Sequence, residues 1–175
     1  MKVQFRLFIM AVISIFMASC SDDDVQNSVL NIADVEGSWT LSEINSTPVV
    51  DLENNGNTDA NLMNQTSCFD GMSLDFDTSG NLTVVTSEIT FDANTNPSFS
   101  CSLRTDSGSY IISGNDLTVT IPVSGSQETE TIVVNVQNNM LSFSLTQNGI
   151  AQFFNVPSGE SFSAINELEF VYLKN

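Results

Sequence analysis

The sequence predicts one all-β domain, an antiparallel up-and-down β-barrel of eight or nine strands, with a β-sandwich as the alternative closure. Three observations predict it. Apolar residues recur at every second position in short runs, the period of a half-buried strand. The runs follow one another at about 8–12 residues, separated by polar turns rich in Asn, Asp, Gly and Ser. No convincing helical period appears in the domain, although a turn of helix fits around Ala60 to Met63. Nearly every adjacent pair of runs is joined by a hairpin-length connection, which favours a meander that closes on itself over a Greek key.

The amino end stands apart from that pattern. Lys2 and Arg6 are followed by Leu7 to Met17, an 11-residue run that is apolar except for Ser14. It is shorter than the ~20 residues of a spanning helix and has the size of a signal-peptide core. Residues 1–19 therefore read as a signal peptide. Met17-Ala18-Ser19-Cys20 resembles the lipobox of bacterial lipoproteins. That resemblance implies cleavage just before Cys20 and lipidation of Cys20, with fatty acyl chains such as palmitate as the only membrane attachment. The alternative is an ordinary signal peptide with a chance cysteine. Ser21-Asp22-Asp23-Asp24 is similar to the acidic export tag of certain Gram-negative lipoproteins, which implies the cell-surface face of the outer membrane. The other readings are a solvated acidic linker and retention on a periplasm-facing leaflet. Residues 20–34 then form a lipidated acidic tether, and 35–175 the barrel domain.

Charge excludes several partners. The chain has 4 basic and 21 acidic residues, a formal charge of −17. Loss of Lys2 and Arg6 with the signal makes it −19, leaving Arg104 and Lys174. Such a surface repels nucleic acid and anionic headgroups, suits cations and keeps an anchored protein soluble. Cys68 and Cys101 are the only cysteines besides Cys20. An oxidising compartment and an even pair point to a disulfide, worth roughly 3–4 kcal/mol on the chain-entropy model. Two buried thiols or a metal pair are the alternatives, the latter disfavoured by the absence of histidine.

The runs are as follows. Gly37 to Ile44 places Trp39 and Leu41 on one face, and residues 45–67 read as a long polar loop. Met72, Leu74 and Phe76 share a side before the turn Asp77-Thr78-Ser79-Gly80. Leu82 to Phe91 is a strand, Asn94 to Ser98 a loop, and Ser107 to Ser113 a strand carrying Tyr110 and Ile112. Leu117 to Val123 alternates cleanly, with Pro122 marking an edge or bulge. Ile132, Val134 and Val136 form the next face, and Asn138-Asn139 suits a tight hairpin. Leu141, Phe143 and Leu145 alternate with polar residues. Ile150 to Val156 reads as a strand of ambiguous phase and 157–163 as a loop. Leu168, Phe170 and Tyr172 mark the last strand.

Gly37-Ser38-Trp39 on the first strand is a G-x-W motif, which resembles the lipocalin superfamily. The layout is similar to lipocalin-like domains of bacterial outer-membrane lipoproteins: Gly37-Ser38-Trp39-Thr40-Leu41, the Asp51 loop, Cys68, then Leu74-Asp75-Phe76. The resemblance covers most of 35–175. It implies that Trp39 is a structural core residue at the closed end of a barrel. Many lipocalins pack a C-terminal basic residue against that tryptophan, and here neither Arg104 nor Lys174 is an assured match.

An enzyme is not expected. Without histidine there is no Ser-His or Cys-His nucleophile. Asp75/Asp77, Glu128/Glu130 and Glu167/Glu169 fall at strand spacing and read as solvated outer-face charge. One metal site is a candidate. Asp51, Glu53, Asn55 and Asp59 occupy positions 1, 3, 5 and 9 of a calcium-loop pattern, with Gly56 at position 6 and the Asn57 carbonyl at position 7. Position 12 is Leu62 instead of a bidentate Glu, so the alternative is an ion-free solvated turn. Two functions stay open. One is a binding module whose barrel holds a small apolar ligand. The other is a non-enzymatic surface interaction or accessory protein with a filled core. No protein partner is indicated.

Overall fold

The computed structural model describes residues 29–92, 99–123, 126–154 and 161–175. The signal segment, Cys20 and the acidic Asp22–Asp24 run lie outside these, as does the Asn94 to Ser98 loop. A short helix, α1 (Ile32–Val35), opens the described chain. Asn31 caps it by accepting from the Ala33 amide (3.0 Å), and Asp34 accepts from the Asn31 amide (2.8 Å). Leu30 is buried and α1 starts at Ile32, so the packed domain reaches back into the 20–34 stretch expected to be tether.

The first strand, β1 (Gly37–Val50), is longer than its sequence pattern showed. A bulge between Leu41 and Glu43 shifts its phase, so that Trp39 and Leu41 on one side of it and Ile44 on the other are all buried. The expected 45–67 loop is therefore strand to Val50. It also contains β2 (Asp59–Asn61), paired with β1, and 3-10 turns at Leu62–Asn64 and Ser67–Phe69. Then come β3 (Ser73–Phe76), β4 (Asn81–Phe91), β5 (Phe99–Ser113), β6 (Asp116–Val123), β7 (Ser126–Val133), β8 (Asn135–Gln137) and β9 (Met140–Thr146). A helix, α2 (Gln147–Phe154), replaces the strand expected from Ile150 onward. The reason is visible in the packing: Ile150 and Phe154, one helical turn apart, are both buried. A 3-10 turn (Ser161–Ala164) and β10 (Glu167–Lys174) complete the chain.

All ladders are antiparallel, in the order β7-β6-β5-β4-β3-β1-β10-β9-β8. The two ends of that order, β7 and β8, are consecutive in the chain and separated only by Val134. Val134 is buried and donates its amide to the Asn115 carbonyl (2.9 Å). Before it the chain pairs with β6, and after it with β9. Chain continuity thus closes a ring of eight walls in meander order. No ladder joins β7 to β9 among the described residues, so this wall is a seam. Asn138 and Asn139 make the β8–β9 hairpin with φ of 51° and 63°, the pair of positive angles a type I′ turn requires.

The ring has two unequal ends. At the base, inward Trp39, Leu74, Phe76, Leu82, Tyr110, Leu117, Leu141, Phe170 and Tyr172 are buried together. Phe76 meets Tyr110 edge-on at 5.0 Å, and Phe143 stacks on Phe170 at 5.1 Å. At the other end, the rim, α2 packs on β9 and β10, and the two 3-10 turns of the 51–72 segment pack on β1, β4 and β5. Phe69 and Phe154 meet edge-on there at 6.0 Å. The β5–β6 ladder stops at Ser109 and Thr120, beyond which β5 stays with β4 and β6 with β7. Gly108 sits at the fork, and a Cβ there would lie 2.2 Å from the Thr120 carbonyl oxygen. Pro122 lies beyond this ladder's end, where its missing amide hydrogen costs no bond to β5.

Gly108→Ala must push β5 from β6 or distort the strand. A loss of about 1–3 kcal/mol is expected in urea unfolding, the usual cost of overpacking; an unchanged midpoint would mean that the close approach is not required.

Candidate functional site

At the base the G-x-W motif acquires a physical meaning. Trp39 is fully buried and its indole N–H donates to the Val35 carbonyl (2.7 Å), tying α1 across the barrel floor. Lys174 is the cross-strand partner of Trp39, with its ammonium 5.1 Å from the ring centroid. Gly37 has φ of +114°, and a Cβ there would meet Lys174 Cε at 3.1 Å, so the glycine leaves room for that cation. The C-terminal lysine is thus the basic residue packed on the tryptophan, and Arg104 is elsewhere.

Cys68 and Cys101 form a disulfide, with Cα atoms 5.5 Å apart. It ties the 67–69 turn to β5 near the rim. Ser87 and Leu103, cross-strand neighbours of one another, lie on the same outer face of the hairpin as Ile89 and Cys101.

The Asp51 loop is organised by its own amides. Asp51 accepts from the Asn55 (3.1 Å) and Gly56 (2.6 Å) amides, and Asn55 Oδ1 from Asn57 (2.9 Å). Glu53 accepts from the Asn55 side chain (3.3 Å), and Asp59 from the Asn61 amide and the Asn64 side chain (2.9 and 3.0 Å). No group of three His, Cys, Asp or Glu side chains placed to hold a metal comes together among the described residues. Of the residues of the calcium expectation, Asp51, Glu53, Asn55, Asn57 and Asp59, the three carboxylates do not gather as a group. The same residue types instead make side-chain-capped turns. Gln65, which the sequence did not single out, holds the loop closed: its side chain accepts from Leu52 N–H (2.7 Å) and donates to the Val50 and Asp59 carbonyls (2.9 and 2.8 Å).

The carboxylate pairs separate by register. Glu167 and Glu169 alternate with inward Leu168 and Phe170 and face out. Asp75 faces out and accepts from Ser38. Asp77 is a turn residue whose carboxyl is held below the ordinary carboxylate range, chiefly by the Asn81 side-chain amide and then by the Asn81 backbone amide. Glu128 and Glu130 differ. They pair with Ile121 and Val119, whose phase is that of buried Leu117, so both carboxylates line the inner face. This corrects the face on which they were expected, while both remain solvent-exposed as expected.

That inner face, toward the rim on β4 to β7, is the candidate site. Val84, Val119, Ile121 and Ile132 point inward there yet are only half-buried, as are Phe143 and Leu145 on β9 beyond the seam, where Phe143 stacks on Phe170 of the base. Asp106 is the cross-strand partner of Val84 and is bound to Arg104 (Nε–Oδ2 2.7 Å). Thr86 lies opposite Arg104, is buried, and its hydroxyl has no protein partner. An apolar wall edged by a few polar groups is the usual composition of a small-molecule site.

A family model described as a lipocalin-like domain matches residues 35–148, well over half of the chain. No curated protein matches the chain.

Two outcomes follow from the base. Trp39→Ala is expected to cost about 3–5 kcal/mol through the cavity it leaves, and Lys174→Ala about 0.5–1 kcal/mol; equal, small losses would remove the tryptophan from its central place. Burial pushes the Tyr172 phenol well above its ordinary value, and burial followed by the charges of Asp77 and Glu36 raises Tyr110. The unfolded chain releases these protons first, so the tyrosines' contribution to stability should be level below about pH 10 and fall above it. An absorbance titration should find neither tyrosine half-ionised at about pH 10 in the folded protein; ordinary titration of both would contradict their burial.

Proposed function

The chain belongs to the lipocalin-like domain family, and from that premise we propose that it is a lipid-anchored surface protein whose barrel takes a small apolar ligand. The observation that carries the ligand reading is the half-buried inner wall of Val84, Val119, Ile132, Phe143 and Leu145. In a filled barrel these inward side chains would be covered by one another, as they are at the base. Here the fork at Gly108 and the seam beside β7 leave them accessible. The role in this reading is non-enzymatic, since the chain has no histidine to activate a hydroxyl or thiol.

The anchoring part rests on Lys2, Arg6, the apolar 7–17 run and the Met17–Cys20 motif, and surface display rests on Asp22–Asp24. In this reading the outer membrane holds the protein by the Cys20 lipid, and the domain stands off it, its net charge repelled by anionic headgroups. The second reading, an accessory protein without a ligand, is favoured by one feature: the base is solidly filled by Trp39, Phe76 and Phe170.

Nile red should gain fluorescence with the protein, and Val119→Trp, which fills the inner wall, should weaken its binding about tenfold. No gain with the native protein would favour the accessory reading. A clickable fatty acid should label the native chain in cells and not Cys20→Ala; equal labelling would end the anchoring proposal.

A further inference from the structure

Resting on the ligand reading above, we infer that the preferred ligand is a cationic amphiphile: an apolar body carrying an ammonium head, with a second, hydrogen-bonding group. The inner face sorts its chemistry by wall. On β6 and β7, Val119 and Ile132 supply apolar surface while Glu130 and Glu128, both exposed, stand in line with them toward the rim, and Glu88 holds the same phase on β4. On β5, Arg104 is the one cation of this inner face among the described residues, and it is engaged by Asp106. The charge left to meet a ligand is therefore negative, and a carboxylate head would face repulsion where an ammonium would be attracted.

An acidic wall alone would be ordinary for so acidic a chain. The independent observation is Thr86. It is 7% exposed and shares the inner face with Val84, and its hydroxyl, like that of Ser87 on the outer face, has no protein hydrogen-bond partner. A buried hydroxyl without a partner is costly, and a ligand group that bonds to it recovers that loss. Thr86 lies on β4 and the glutamates on β7, so the two polar contacts sit on different walls with the apolar surface between them. A bifunctional ligand, polar at two points and apolar between, satisfies both.

Calorimetry on the protein as purified from cells, held in neutral phosphatidylcholine nanodiscs with protein-free discs as the blank, tests this with octylamine, octanol and octanoate. Octylamine should bind about tenfold more tightly than octanol, the scale of one charge-assisted contact, and octanoate most weakly. Glu128→Gln with Glu130→Gln should bring octylamine to the level of octanol. Glu167→Gln with Glu169→Gln, which removes the same charge from the outer face, should leave it unchanged. An equal effect of both pairs would show attraction to the overall charge and overturn the proposal. Octanol binding as well as octylamine would also overturn it while leaving the ligand reading intact, whereas binding of none of the three would sink the ligand reading itself. An eight-carbon amino alcohol should exceed octylamine in the native protein and lose that margin in Thr86→Val. Retention of the margin would overturn the hydroxyl contact.

Discussion

The pairing of β1 with β10 is the constraint on which the rest of the molecule depends. It joins residues from opposite ends of the domain, Trp39 with Lys174 and Ile44 with Phe170, and so turns a meander of hairpins into a ring. The other walls pair strands that follow one another, by hairpins or across the 51–72 and 147–166 segments, and so close shorter loops. This one does not, and the base is packed accordingly. Trp39 is held by the Val35 carbonyl below and by the Lys174 cation beside it, and the last residue bonds back to Ser38 through its amide (2.9 Å). Closing the ring gathers Phe170, Tyr172, Phe76 and Tyr110 into one core.

From that closed base the barrel relaxes toward its rim. β1, β9 and β10 are roofed by α2 and the 51–72 segment, with Phe69, Phe154, Leu62 and Leu52 buried beneath. β4 to β7 fork at Gly108 instead, and their inner residues stay half-covered. The disulfide belongs to this division, since it fastens the 67–69 turn to β5 where backbone pairing with β6 has been given up. Packing therefore decides where stability lies and where the inner wall stays half-covered.

Much of the fold was legible because strand alternation reports a two-sided environment. Leu117 to Val123 and Leu141 to Leu145 are apolar on one side and polar on the other, and the structure treats them so. Residues 100–105 escaped recognition as strand because both of their faces are exposed, which erases the period. The helix at 147–154 escaped because Ile150 and Phe154 give too few apolar positions to separate a helical period from a strand. The site was less legible. Asp, Asn and Gly serve both ion loops and side-chain-capped turns, and only the hydrogen-bond directions at Asp51 and Asp59 tell them apart. The phase of Glu128 and Glu130 is fixed by their partners Ile121 and Val119, a fact of register that sequence spacing does not contain.

The central claim is that one half of the barrel is a closed, cooperative unit and the other an open wall. Native-state amide hydrogen exchange tests it residue by residue. Amides of Trp39, Ile44, Phe170 and Tyr172 should exchange only through global unfolding, while those of Thr105, Thr129 and Thr131 should exchange by local opening with a much smaller free energy. Uniform protection around the ring, or faster exchange at β1 and β10 than at β5 and β7, would contradict it.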